Sequence, residues 1–173
     1  TDKNKEQFTA DLVHVYRSAS PHQLEILRQA RRDLTDAHAL FNQTKHDAAI
    51  ELYSRAAALF EQVGDRPETL SARFWIGFCY SWRGDEPQQT LTVFSDVQER
   101  CKKHNYKWLQ SMIDSGLVSV HIRATQYSLA AERGWDAYKM SEQIGDENGV
   151  LRILSNLSSL YRDMGNYSQS LYL

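Results

Sequence analysis

The residue types that most often bind metals or transfer protons are few in this sequence, and they are not arranged for either task. Six histidines and two cysteines occur; these are His14, His22, His38, His46, His104, His121, Cys79 and Cys101. The histidines form no His-Glu-x-x-His pair and share no recognised zinc-ligand spacing with cysteine or carboxylate residues. Two cysteines are too few for a disulfide framework. The sequence therefore predicts no metal site.

Nucleophile and phosphate-binding motifs are also missing from the sequence. Serine is frequent, yet no Gly-x-Ser-x-Gly elbow surrounds any serine. Gly64, Gly84, Gly145 and Gly165 lie too far apart for a phosphate-binding loop. The paired acids at positions 146 and 147 fall where a helix is predicted to start, and the helix dipole explains them. The sequence predicts neither catalytic residues nor a cofactor, so the chain is not expected to be an enzyme.

Length and composition are those of an ordinary globular domain or of one stretch of a repeat array. The chain has 173 residues, of which 42% are hydrophobic and 24% are charged. Its formal net charge of −2 argues against a nucleic-acid binder, because such proteins gather many basic residues on one face. No apolar run approaches the length of about 18 residues that suggests a membrane span, and no signal peptide is visible. We therefore predict no membrane contact and a cytoplasmic location.

The sequence repeats itself with a period near 40 residues. Glu61–Asp65 reads Glu-Gln-Val-Gly-Asp, and Glu142–Asp146, 81 residues later, reads Glu-Gln-Ile-Gly-Asp. A second Gly-Asx signal occurs at Gly84 and again at Gly165, also 81 residues apart. Two units separated by 81 residues predict one more unit between them. Small residues at spacings of 41, 40 and 40 mark equivalent positions in all of them; these are Ala49, Thr90, Ala130 and Ser170.

Capping signals divide each repeat into helices. The capping-box pattern, a capping residue with Glu or Gln three positions later, occurs four times, at Ser20, Asp65, Asp85 and Asn166. The three prolines of the chain fall in the first turns of predicted helices. Gly64 and Gly145 are predicted to end helices in the left-handed conformation. The predicted helices cover residues 5–18, 21–43, 46–63, 66–83, 86–103, 106–124, 127–144, 147–164 and from 167 onward. Because the connections are only a few residues long, successive helices are expected to pack antiparallel.

The last repeat carries the clearest resemblance to a known family. Residues 156–161, Asn-Leu-Ser-Ser-Leu-Tyr, followed by Gly-Asn-Tyr at 165–167 and Ser-Leu at 170–171, resemble the tetratricopeptide (TPR) pattern. Weaker matches occur in the earlier repeats, at Ala37, Leu40, Ala49, Tyr53, Ala56, Trp75, Gly77, Tyr80, Gly84, Phe94, Val118, His121, Tyr127, Ala130 and Ala137. The period near 40 departs from the usual 34 and resembles that of bacterial regulatory proteins, where such arrays flank kinase, cyclase or DNA-binding domains.

The resemblance implies an all-α fold, a right-handed superhelical solenoid of antiparallel helix pairs. It implies an N-terminal packing helix at 1–20 and a repeat array at 21–173, whose units span 21–64, 65–104, 105–145 and 146–173. The last unit is incomplete, so we expect a longer parent protein. A chain that ends on Leu-Tyr-Leu exposes an apolar end, and a homodimer through that end is expected.

In the family, the first helix of each pair lines a concave groove. When the family's groove positions are aligned with this sequence, they predict a set of binding residues. Its members are His38, Phe41, Asn42, Phe74, Phe78, Trp82, Ser119, Arg123, Arg152, Ser155 and Arg162. The early members are mostly aromatic and the later ones small or basic, which suits a protein or peptide partner with one apolar anchor and one acidic group. The family's chaperone-tail clamp needs Lys and Asn where this chain has Leu34 and His38, so that partner is not expected.

Two alternatives stay open for this set. The aromatic side chains could instead pack against the N-terminal helix, which must bury Phe8, Leu12, Val13 and Tyr16, and the arginines could simply be solvated. For function, we predict a protein–protein interaction or scaffold module of a larger regulatory protein. The alternative is a sensor domain that binds a peptide or small ligand in the groove.

Overall fold

A computed structural model describes residues 6–84 and 87–173, and every regular element in these two ranges is an α-helix. The all-α prediction is therefore confirmed. The helices are α1 (Glu6–Ser18), α2 (Pro21–Asn42), α3 (His46–Gln62), α4 (Arg66–Arg83), α5 (Pro87–His104), α6 (Lys107–Arg123), α7 (Tyr127–Gln143), α8 (Glu147–Asp163) and α9 (Tyr167–Tyr172). The predicted bounds agree with these to within a residue or two wherever they fall on described residues.

Side-chain caps begin several of the helices. Ser20 forms the full predicted capping box with Gln23 at the start of α2. Asp65 caps α4 by accepting the backbone N–H of Glu68 at 3.2 Å. The carboxylate of Glu68 pairs instead with Arg31, at 2.7 Å between Oε1 and Nη2. Asn166 caps α9 at 3.2 Å from the backbone N of residue 169. The fourth predicted box, at Asp85, lies outside the described residues.

Left-handed residues end the helices, as predicted at Gly64 (φ 77°) and Gly145 (φ 65°). Three other connections reach the same conformation without glycine, at Thr44 (φ 60°), Asn105 (φ 57°) and Thr125 (φ 56°). A β-branched residue in this region is strained because its Cβ crowds the backbone. The predicted helix bounds place connections at these three points, but the left-handed conformation was not predicted, since threonine is not a signal for a positive φ.

Replacing Thr125 with glycine is expected to raise the free energy of unfolding by about 0.5–1 kcal/mol. Glycine relieves a left-handed penalty of about 1–2 kcal/mol, and part of that gain is lost to its greater freedom in the unfolded chain. Chemical denaturation measures the change. Thr35→Gly is the matched control, because Thr35 lies inside α2 and glycine there should destabilise by about 0.3 kcal/mol, since threonine is itself a weak helix former. Equal losses in both variants would contradict the strain at Thr125.

The helices form two compact units, which we call the first unit (residues 6–104) and the second unit (residues 105–173). The division coincides with a predicted repeat boundary. In the first unit, α2 packs on α3, α3 on α4 and α4 on α5; in the second, α6 packs on α7 and α8, α7 on α8, and α8 on α9. Short connections make consecutive partners antiparallel.

Small side chains lie where the helices meet. Ala49, Thr90 and Ala130 are fully buried, as the repeat spacing predicted. Ser170 is half-buried, and its Oγ donates to the carbonyl oxygen of Ser158 at 2.9 Å. Larger residues fill the adjoining space; Tyr53 and Phe60 in the first unit are both fully buried. Across the described ranges, no helix combines the length and the apolar character needed to cross a membrane.

Candidate binding surfaces

Phe74, a predicted groove residue, lies in the core of the first unit. Its side chain is only 2% exposed. Its ring stacks on Phe94 with centroids 5.6 Å apart and an interplanar angle of 11°, and on Phe78 at 5.7 Å and 21°. Phe74 therefore packs beneath Phe78 and is too buried to contact a partner.

Phe41, Phe78 and Trp82 form what we call the aromatic face of the first unit. Phe41 and Phe78 are half-buried, with ring centroids 5.6 Å apart. Trp82 meets both rings edge-on, at 6.4 Å from Phe41 and 6.2 Å from Phe78, and keeps 61% of its area exposed. Three rings in mutual contact leave a large indole exposed on a rigid base. This arrangement presents an apolar surface with little conformational freedom to lose on binding.

His38 lies beneath the aromatic face and is tied into the core. Its Nδ1 is 2.6 Å from the hydroxyl oxygen of Tyr53, and its ring packs edge-on against Trp75 at 4.7 Å. Burial lowers the pKa of His38 and raises the pKa of Tyr53, since neither group gains charge easily away from water. Trp75 in turn meets Phe41 at 5.6 Å and Phe78 at 5.4 Å, so the neutral pair packs against the aromatic face through Trp75. Asn42, also predicted for the groove, is exposed at the end of α2.

The N-terminal helix packs on the first unit near the start of α4. Val15, Tyr16 and Ala19 contact its core cluster, and the Tyr16 hydroxyl accepts a hydrogen bond from Nε of Arg31 at 3.0 Å. Arg31 in turn pairs with Glu68 in the first turn of α4. Trp82 lies at the opposite end of α4 and remains largely exposed. Packing of α1 thus leaves this indole uncovered.

Arg152 is the most unusual of the predicted groove residues in the second unit. Its side chain is half-buried, and both Nε and Nη2 are shielded from solvent without donating to any residue in the described part of the chain. Burial lowers the pKa of Arg152, and the field of Asp146 partly offsets this. Among the other predicted members, Arg123, Ser155 and Arg162 are exposed, and Ser119 is half-buried like Arg152.

Asn156, which belongs to the family pattern in the sequence and not to the predicted binding residues, joins α8 to α6. Its Nδ2 donates to the carbonyl oxygen of Ser115 at 3.3 Å and to the Ser115 Oγ at 3.1 Å. Arg152 precedes Asn156 by one helical turn, so both lie on the same side of α8.

Other reactive groups in the described ranges are spread through the packing. No three His, Cys, Asp or Glu side chains there lie close enough together to hold a metal ion. Cys79 and Cys101 are fully buried, and burial raises the pKa of each thiol to about 12. A thiol with so high a pKa is protonated at neutral pH and reacts poorly as a nucleophile.

The end of the second unit exposes apolar side chains. Leu171 is 89% exposed and Tyr172 is 86% exposed, with Met164 and Tyr167 also exposed nearby in the chain. A homodimer through this end stays a prediction. Compared with known protein families and with curated proteins, the chain finds no match.

Proposed function

We propose that this chain is a protein–protein interaction module, a tetratricopeptide-like array that belongs to a larger regulatory protein. The observation that supports this proposal is the aromatic face, where Trp82 is exposed on the half-buried rings of Phe41 and Phe78. Exposed tryptophan on a rigid base is typical of the few residues that dominate the affinity of protein interfaces. The partner is proposed to insert an aliphatic or aromatic side chain against this indole.

Replacing Trp82 with alanine is expected to weaken such a partner about tenfold or more, because truncating an interface tryptophan costs about 2 kcal/mol or more. A random peptide library selected on the immobilised wild-type chain supplies the ligands, and tryptophan fluorescence or calorimetry measures the dissociation constants. Leu151→Ala is the matched control, since Leu151 is an exposed apolar residue on α8. A selection that yields no binding peptide, or peptides that bind the Trp82→Ala variant equally well, would count against the proposal.

A small-ligand sensor is the second candidate, and a surface cavity of about 380 Å³ favours it. A cavity of this volume suits a small organic molecule. It lies between α3, α4 and α5 of the first unit rather than at the predicted groove residues, and Ala57, Ala58, Ile76 and Val93 supply apolar lining. Thermal-shift screening with metabolites tests this candidate, because a ligand that binds only the folded chain raises its melting temperature.

A further inference from the structure

The surface cavity of the first unit has a charged end and an apolar end. Its charged side chains come one from each helix, Glu61 from α3, Arg73 from α4 and Asp96 from α5. Each lies about one turn from an apolar lining residue on its own helix, in the pairs Ala57–Glu61, Arg73–Ile76 and Val93–Asp96. Because consecutive helices are antiparallel, the step from apolar to charged residue runs in the same direction on all three. The three charges therefore gather at one end of the cavity.

Arg73 is already neutralised by the two acids. Its Nη2 is 3.1 Å from Oε2 of Glu61, and its Nη1 is 3.4 Å from Oδ2 of Asp96. Two carboxylates and one guanidinium give the charged end a formal charge of −1. An incoming anion would have to displace one carboxylate from Arg73 and would be repelled by both. The lining thus favours a cation over an anion.

The two carboxylates are not equally available to a cation. Oδ2 of Asp96 faces Arg73, and its Oδ1 accepts from Nε of Arg100 at 3.2 Å, although Arg100 does not line this cavity. Oε1 of Glu61, by contrast, accepts no hydrogen bond from any residue in the ranges 6–84 and 87–173, and the Glu61 side chain is 57% exposed. An ammonium group can therefore reach Oε1 from solvent while Oε2 keeps its bond to Arg73.

We propose that this cavity binds a small primary amine in its protonated form. The ammonium group donates to Oε1 of Glu61, and a compact apolar group packs one turn away against Ala57, Ile76 and Val93. The inference rests on the second candidate function, the small-ligand sensor, and names the class of ligand that the sensor recognises. It does not require the aromatic face, none of whose residues line this cavity.

Three probes of similar shape and different charge test the proposal on the full chain at pH 7: benzylamine, benzyl alcohol and benzoate. Benzylamine is expected to shift the Cδ1 methyl resonance of Ile76 and to bind about fivefold more tightly than benzyl alcohol, the factor that an exposed ion pair can supply. Benzoate should bind more weakly than either. A smaller cavity of about 180 Å³ also touches Glu61 and is lined by Arg66 and Arg100, but not by Ile76, so the Ile76 methyl group reports which cavity a probe enters.

Substitutions of single carboxylates locate the contact. Glu61→Gln should make benzylamine and benzyl alcohol bind alike, whereas Asp96→Asn should keep most of the preference because both oxygens of Asp96 are already engaged. Glu51→Gln is the control for a lost negative charge, since Glu51 is exposed on α3 and does not line the cavity; the preference should survive it. The melting temperature of each variant shows that the chain still folds.

The outcomes separate the class of ligand from the cavity itself. If benzyl alcohol or benzoate binds the wild type as tightly as benzylamine, the assignment to a cation is overturned while the small-ligand candidate stands. If no probe shifts the Ile76 methyl resonance, both are overturned. A preference lost equally in Glu51→Gln and Glu61→Gln would show a general effect of charge and would overturn the contact at Glu61. A preference kept in Glu61→Gln and lost in Asp96→Asn would overturn that contact too.

Discussion

Replacing Gly77 with alanine is expected to lower the free energy of unfolding by about 2 kcal/mol and the melting temperature by about 4–8 °C. A Cβ atom at Gly77 would lie 2.7 Å from Cδ1 and Cε1 of Phe94 and 3.1 Å from Cγ1 of Val93. The Phe94 ring cannot turn away easily, because it is fully enclosed and stacks on Phe74. Overpacking of about 3 kcal/mol then outweighs the gain of about 1 kcal/mol that alanine brings to a helix.

A double-mutant cycle separates the clash at Gly77 from the other effects of the substitution. Phe94→Leu removes the ring atoms that the new Cβ would meet, so Gly77→Ala should cost less in the Phe94→Leu background than in the wild type. Urea unfolding followed by circular dichroism gives each free energy. If Gly77→Ala stabilises the chain, as helix propensity alone would predict, the close packing of Phe94 on α5 against Gly77 on α4 is contradicted.

Helix positions could be predicted from the sequence because their signals are local. A cap such as Ser20 or Asn166 acts on backbone groups three residues away, and Gly64 ends a helix through its own φ angle. The recurring small residues also indicated where two helices approach, as the burial of Ala49 and Ala130 shows. These rules need no knowledge of the rest of the fold.

The exposed binding surfaces could not be predicted in the same way, because the solvent exposure of a side chain depends on which side chains from other helices pack against it. Phe74 and Trp82 share the register of the predicted groove, yet Phe74 is enclosed by Phe94 while Trp82 is exposed. Glu68 fits a capping box, but its carboxylate turns to Arg31 because a full charge binds it more strongly than a backbone N–H does. Tertiary contacts between residues distant in sequence determine both the exposure of these rings and the partner of Glu68.

Replacing Asp65 with asparagine is expected to stabilise the chain by about 1–3 kcal/mol at pH 7.5 and to remove a rise in stability toward acid. Asp65 is fully enclosed, and burial, aided by the charge of Glu68, raises its pKa to about 6 despite the Glu68 backbone N–H. The unfolded chain binds the same proton only near pH 3.9. Proton uptake between about pH 6 and pH 4 therefore favours the folded chain, and above pH 6 the buried charge opposes it. Asparagine keeps the cap without the charge.

The difference in unfolding free energy between wild type and Asp65→Asn, measured from pH 4 to pH 8 by urea denaturation, removes the titrations that the two chains share and leaves those of Asp65 and its neighbour Glu68. The advantage of the variant should shrink as the pH falls from about 7 to about 4, because wild-type Asp65 becomes neutral in the folded chain. Asp146→Asn is the matched control, since Asp146 caps α8 through Gly149 as Asp65 caps α4 through Glu68. If both variants change stability by the same amount at every pH, the substitution of Asp by Asn alters only the helix cap. The negative charge of Asp65 would then not destabilise the folded chain.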